Sequence, residues 1–247
     1  MDFSYLNHVK NILEQVEANE LKTMETVVET LTEAILNKKS IFIFGASHAG
    51  ILTEEMFYRA GGLVVINPIF GSDMMLNTSP IVHTSKMERL PGYGTILLQK
   101  EAVKAGDILI VHSVSGRNTV SIDMAIAAKE KGMKVIALTN VKYSKSTTSR
   151  HPSGKRLFEV ADIVLDNHGD IGDACVQLSG IDQKVAPTST VIGATILNSI
   201  VAQTAENLIA KGLEKPPIFY SANLDGGDEL NQKIYEEYKE NIHYRYS

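Results

Sequence analysis

The chain has 247 residues, 44% of them hydrophobic, with 24 basic against 29 acidic side chains and a net charge of −5. That length supports one large domain or two small ones with a sizeable core, and the acidic balance argues against a generic nucleic-acid binder. One cysteine, Cys175, excludes an internal disulfide framework and fits a reducing compartment; no apolar run reaches the about 18–20 residues of a membrane span, and Met1-Asp2-Phe3-Ser4-Tyr5 lacks the order of a secretory signal. A cytoplasmic globular protein without membrane or nucleic-acid partners is expected.

Residues 1–38 read as a helical arm of two amphipathic helices. Leu6, Val9, Ile12, Leu13 and Val16 share one face, Leu21, Met24, Val27, Val28, Leu31 and Ile35 another, and a polar break falls at 17–20. From Ser40 short apolar runs alternate with helices. Ile41-Phe42-Ile43-Phe44 is the first strand, followed by Gly45-Ala46-Ser47-His48-Ala49-Gly50 and a helix to about Ala60. Strands are expected at 63–66, 107–113, 134–138 and 162–165, with a helix over 118–131 before the fourth. The Pro- and Gly-containing connection 67–93 is too long for an ordinary loop and reads as a lid. A hairpin (174–178, 184–185), an apolar helix over 189–210 and a last helix over 228–242 complete the chain. No repeat or linker divides 39–247, so a single domain carries the arm. Continuous apolar strands between helices argue for a parallel sheet covered on both faces.

In such sheets ligands bind at the carboxyl ends of the strands, where strand order reverses. For the order 2-1-3-4-5 that crevice lies between the first and third strands, beside the loops 45–50 and 113–118. Both are small, polar and open a helix, whose N-terminal N–H groups suit phosphate. Ser113-Val114-Ser115-Gly116-Arg117-Asn118 adds hydroxyls, an amide and a guanidinium. A dinucleotide fingerprint is absent, since Ser47 occupies the middle glycine position, and Ile51-Leu52 stand where a Walker loop needs Lys-Ser/Thr. A terminal phosphate monoester is the expected anion.

These residues resemble the SIS (sugar isomerase) domain family. Ser113, Ser115 and Gly116 match its Ser-x-Ser-Gly-x-Thr/Ser hallmark, with Asn118 at the last hydroxyl position; Gly45 and Ser47 match its first loop, and Ala186-Pro187-Thr188-Ser189-Thr190 resembles the segment that opens its long helix. Glu55-Met56-Phe57-Tyr58-Arg59-Ala60-Gly61-Gly62 and Phe219-Tyr220-Ser221-Ala222-Asn223 are similar to a group of uncharacterised bacterial SIS proteins close to the phosphoheptose isomerases. The resemblance implies an α/β three-layer sandwich with a five-stranded parallel sheet in the order 2-1-3-4-5. It also implies a sugar phosphate held by Gly45, Ser47, His48, Ser113, Ser115, Gly116, Asn118, Thr188 and Ser189.

Aldose–ketose isomerisation needs a base to move a proton between neighbouring carbons. Glu55, on the helix after the first loop, is expected in that role ahead of Glu54, since phosphoheptose isomerases are implied to carry a glutamate on the similar helix. His151 or His168 is the expected partner, from a pool that includes His48 and His112. No metal ligand is assigned and no cofactor expected; zinc is an alternative that some phosphoheptose isomerases imply, although no histidine pair has a His-x-x-x-His spacing. Five basic residues between Lys142 and Arg156, with no acid among them, would steer an anion. The leading expectation is a sugar-phosphate isomerase of the phosphoheptose type. A non-catalytic phosphosugar sensor and an amino-sugar-phosphate lyase or etherase are the alternatives. The apolar 189–210 helix and the family resemblance together predict a homodimer or larger assembly.

Overall fold

The computed structural model describes residues 3–246. Its frame is a five-stranded parallel sheet in the order β2-β1-β3-β4-β5, built from β1 (Ile41–Gly45), β2 (Ile66–Pro68), β3 (Ile108–His112), β4 (Lys134–Thr139) and β5 (Ile163–Asp166). Alternation along each strand supplies two cores. Ile41, Ile43, Ile108, Ile110, Ile136, Leu138 and Leu165 point to one face; Phe42, Phe44, Leu109, Val111, Val135 and Ala137 point to the other. The first face is covered by α1 (Ser4–Leu36) and α7 (Ser189–Ala210), the second by α4 (Tyr93–Gln99) and α5 (Thr119–Glu130). The result is the three-layer α/β sandwich expected.

α1 is one continuous 33-residue helix, not two. The break expected at 17–20 rested on polarity alone. Glu20 is only 8% exposed, and its carboxylate accepts hydrogen bonds from His168 Nε2 (2.9 Å) and from the Asp166 backbone N–H (3.3 Å). A buried acid with partners gives the helix no reason to stop. Val16, Val27, Val28 and Leu31 enter the same core as the sheet, so α1 is part of a layer.

Three other boundaries move. α2 (Ile51–Glu55) ends well before Ala60. β2 begins only at Ile66, because residues 62–64 bond instead to the 217–219 segment: Val64 N–H donates to the Pro217 carbonyl (2.7 Å) and Phe219 N–H to that of Gly62 (2.9 Å). α8 (Gly227–Tyr238) stops four residues early, and a 3-10 turn, Lys239–Asn241, follows it. Its C-terminal continuation closes over β2. Asn67 donates to the carbonyls of Ile41 (3.1 Å) and Asn241 (2.9 Å) and accepts from His243 N–H (2.6 Å), while the Tyr244 hydroxyl donates to the Val64 carbonyl (2.7 Å). The antiparallel hairpin is present as β6 (Ala174–Gln177) and β7 (Lys184–Pro187).

The connection expected to be a lid is largely tied down. It holds α3 (Val82–Met87) and leads into α4. Val120 N–H donates to the Glu88 carbonyl (3.0 Å) and Gly92 N–H to the Asp123 carboxylate (2.6 Å). α4 lies so close to α5 that a Cβ on Gly94 would come within 2.1 Å of the Val120 carbonyl oxygen.

Candidate functional site

A cleft of about 280 Å³ opens at the carboxyl ends of β1 and β3, where strand order reverses. Its walls include Ser47 and His48 from the loop after β1, Ser113, Ser115 and Asn118 from the loop after β3, and Glu88 from the connection before α4. The first loop doubles back on itself: a Cβ on Gly45 would lie 2.3 Å from the Ala49 carbonyl oxygen, and Ser47 is held at φ +51°. Such a left-handed serine costs free energy that its surroundings must offset. Part of that support comes from below. His112, fully buried at the end of β3, donates from Nδ1 to the Ala49 carbonyl (3.0 Å). Burial lowers its pKa, partly countered by that hydrogen bond.

Glu88 ties the two loops together. One of its oxygens accepts a hydrogen bond from the Ser47 hydroxyl and the other from the Asn118 side-chain amide. The opposite end of the Asn118 amide accepts from the Arg150 guanidinium (2.7 Å). Opposite charges on its two ends thus orient this amide. Arg150 in turn lies near Arg117 and Arg89; burial first, then those like charges, lower its pKa. Among the described residues none of these three guanidiniums forms an ion pair. Three unpaired cations beside a donor-rich cleft suit an anionic ligand. Of the other bases in this loop, Arg156 is taken by Glu159, whose carboxyl it holds down to about 2.

The remaining expected residues fall elsewhere. Glu55 does not line the cleft: the last residue of α2, its carboxylate accepts from Arg59 and from Asn198 of α7 (3.0 Å). Leu52 and Met56 turn inward to the core, which leaves Glu55 toward α7. His168 donates to Glu20 beneath the sheet edge. His151 donates from Nε2 to Asp123 (2.9 Å), and its Nδ1 accepts from the Ser153 backbone N–H (3.0 Å), so it clasps the basic loop to α5. Neither histidine is among the residues that line the cleft. Thr188 and Ser189 are buried; their N–H groups and the Ser189 hydroxyl (2.6 Å) donate to Asp173, which caps α7 and itself lines the cleft. Gly116, at φ +58°, is closely packed: a Cβ there would lie 3.0 Å from Ser144 Oγ and 3.1 Å from Thr139 Oγ1.

Glu88 was not expected from sequence. It is one of two acids, with Asp73, in a connection without periodicity, and only its tertiary neighbours reveal it. Among the described residues no group of three or more His, Cys, Asp or Glu side chains is placed to hold a metal ion, and no helix is long and apolar enough to cross a membrane. A larger groove, about 680 Å³, lies at the other end of the strands beside Glu33, Lys39, Lys134 and Asp162. Its charges are of mixed sign.

The fold is an α/β three-layer sandwich with a cleft at its strand-order reversal, and the chain belongs to the SIS domain family, whose model matches residues 4–140. Over 240 residues it is 55% identical to a UPF0309 protein of Shouchella clausii and 51% identical to one of Oceanobacillus iheyensis; each comparison covers 97% of both chains. The fold is similar to that of a phosphoheptose isomerase from Neisseria gonorrhoeae (TM-score 0.53, 17% identity, 84% of this chain and 96% of that one). A phosphoheptose isomerase from Francisella tularensis gives the same TM-score of 0.53 at 14% identity, covering 82% of this chain and 95% of that one.

Proposed function

We propose that the cleft binds a sugar phosphate and that the protein interconverts its aldose and ketose forms, with Glu88 moving the proton. The observation that carries this reading is the Glu88 carboxylate, oriented by Ser47 and Asn118 inside a cleft rich in anion donors. Ser113 and Ser115 donate to the phosphate, together with the N–H groups that open α5. Binding energy from the phosphate then positions the reacting carbons. Glu88 takes a proton from the carbon beside the carbonyl and returns it to the neighbouring carbon. His48, exposed on the first loop at the cleft's rim, carries the proton between the two oxygens. Glu55, turned toward α7, has no part in this scheme.

The same reading includes a homodimer or larger assembly and a cytoplasmic setting. Leu6 and Leu21 on α1 and Ile209 on α7 stand more than half exposed and support the former; light scattering tests it. The chemistry is tested by proton–deuterium exchange followed by NMR on a panel of sugar phosphates. Exchange beside the carbonyl supports an isomerase; elimination products indicate a lyase; calorimetric binding without exchange leaves a phosphosugar sensor.

A further inference from the structure

A second cavity, about 340 Å³, adjoins the cleft and shares Ser47 with it. Phe70, Met74, Met75 and Leu76 line it with apolar side chains, and Glu54 and Asn77 join Ser47 as its polar ones. The wall is a built one. A Cβ on Gly71 would come within 2.7 Å of the Met74 methyl and 3.3 Å of a Leu97 methyl, so the bare glycine lets Met74 pack where it does. The Phe70 ring is braced edge-on by Phe57 (5.8 Å between centroids), which in turn meets Tyr244 (4.9 Å). Phe70 and Leu76 nevertheless remain 40% and 38% exposed, because nothing in the described chain fills the space between them.

Resting on the phosphosugar reading above, we propose that this cavity receives an N-acyl substituent of the sugar phosphate. A polyol arm placed here would exchange water for methionine and phenylalanine, leaving hydroxyls without partners at a cost. An N-acyl group divides its chemistry as the cavity does. Its alkyl end meets Met74, Met75 and Phe70; its N–H faces the Glu54 carboxylate; its carbonyl faces the Asn77 amide. Methionine side chains adapt to such small groups. Glu54 opposes a substituent that carries a carboxylate, so the substituent is neutral.

The test is calorimetry on the full chain with three probes: inorganic phosphate, glucose 6-phosphate and N-acetylglucosamine 6-phosphate. The acetamido sugar is expected to bind at least tenfold more tightly than the hydroxyl sugar. Met75→Asp, checked for folding by its melting curve, is expected to reduce that ratio to near one, and Glu54→Gln to narrow it. The ratio is the readout, so a loss common to both sugars does not count toward it. Equal affinities in the wild type, or a ratio that survives Met75→Asp, overturn the cavity assignment while leaving phosphate binding standing. Failure of all three probes to bind overturns the phosphosugar reading and this inference with it.

Discussion

The Glu88 carboxylate accepts a hydrogen bond from the hydroxyl of Ser47, 41 positions earlier in the chain. An acid from the connection between β2 and β3 therefore stands at the tip of the loop after β1, and through Asn118 it reaches the start of α5 as well. The two loops that flank the cleft are thus tied to one another through a single carboxylate. Such pre-organisation lowers the ordering cost of binding.

Glu88→Gln keeps the side chain's shape and an acceptor for Ser47 but cannot take up a proton. Deuterium exchange beside the carbonyl of a substrate sugar phosphate should fall by roughly 10²–10⁴-fold, the range for losing a general base. Calorimetric affinity should change far less, because binding and proton transfer are separate tasks. Exchange at the wild-type rate would remove Glu88 from the chemistry.

Ser115→Ala should weaken sugar-phosphate binding by roughly 1–3 kcal/mol, the loss of a hydrogen bond to a charged group. Unchanged affinity in a folded Ser113/Ser115 double-alanine variant would place the phosphate elsewhere.

Gly45→Ala drives a methyl into the Ala49 carbonyl, 2.3 Å away in the present geometry. The first loop must shift, and Ser47 with it. Phosphate affinity should drop at least as much as for Ser115→Ala, with a stability loss of roughly 1–3 kcal/mol from overpacking. A crystal structure of this variant with Ser47 undisplaced would refute the account.

Glu20→Ala should cost about 1–3 kcal/mol in urea unfolding, because His168 Nε2 and the Asp166 N–H lose their acceptor. This residue also shows what the sequence hid. Glu20 falls in a polar stretch that reads as a helix break, and only the sheet edge beneath it explains its place within one helix. By contrast, β1, β3, β4, β5 and α7 were legible almost to the residue, because continuous apolar runs bounded by glycine or polar turns leave little choice. Loops one and three could be placed at the cleft from strand order alone. The acid at the cleft could not. The family resemblance made Glu55 the candidate, yet α2 is only five residues long, and its inward face belongs to Leu52 and Met56. The acid that does face the cleft comes from a stretch with no period to read.

Acid should destabilise the fold through buried His112 and half-buried His243. Burial lowers the pKa of both His112 and His243 below the ordinary value of 6.5. The neutral forms are thus favoured in the native state, and their stabilisation is complete above 6.5. As pH falls below 6.5 the unfolded chain binds protons first, and stability is lost until the folded pKa values are passed. The urea midpoint should fall over this window, and His112→Asn should flatten the fall. A His112→Asn curve parallel to the wild type would assign the effect to other groups.

The hydrogen bonds that residues 217–219 and 241–246 make around β2 have a consequence for assembly. β2 is the last strand on its side of the sheet, and an open strand edge is a template on which another molecule's backbone can pair. Here Pro217 and Phe219 engage the approach to β2, and Asn241, His243 and Tyr244 fasten a strap alongside it. Deleting residues 241–246 would do more than shorten the chain. It would strip the Tyr244 ring from Phe57, loosen the brace behind Phe70, and leave an apolar strand margin open to recruitment by neighbouring copies. Aggregation at high protein concentration, ahead of any loss of helix content, would be the first sign that this seal had gone.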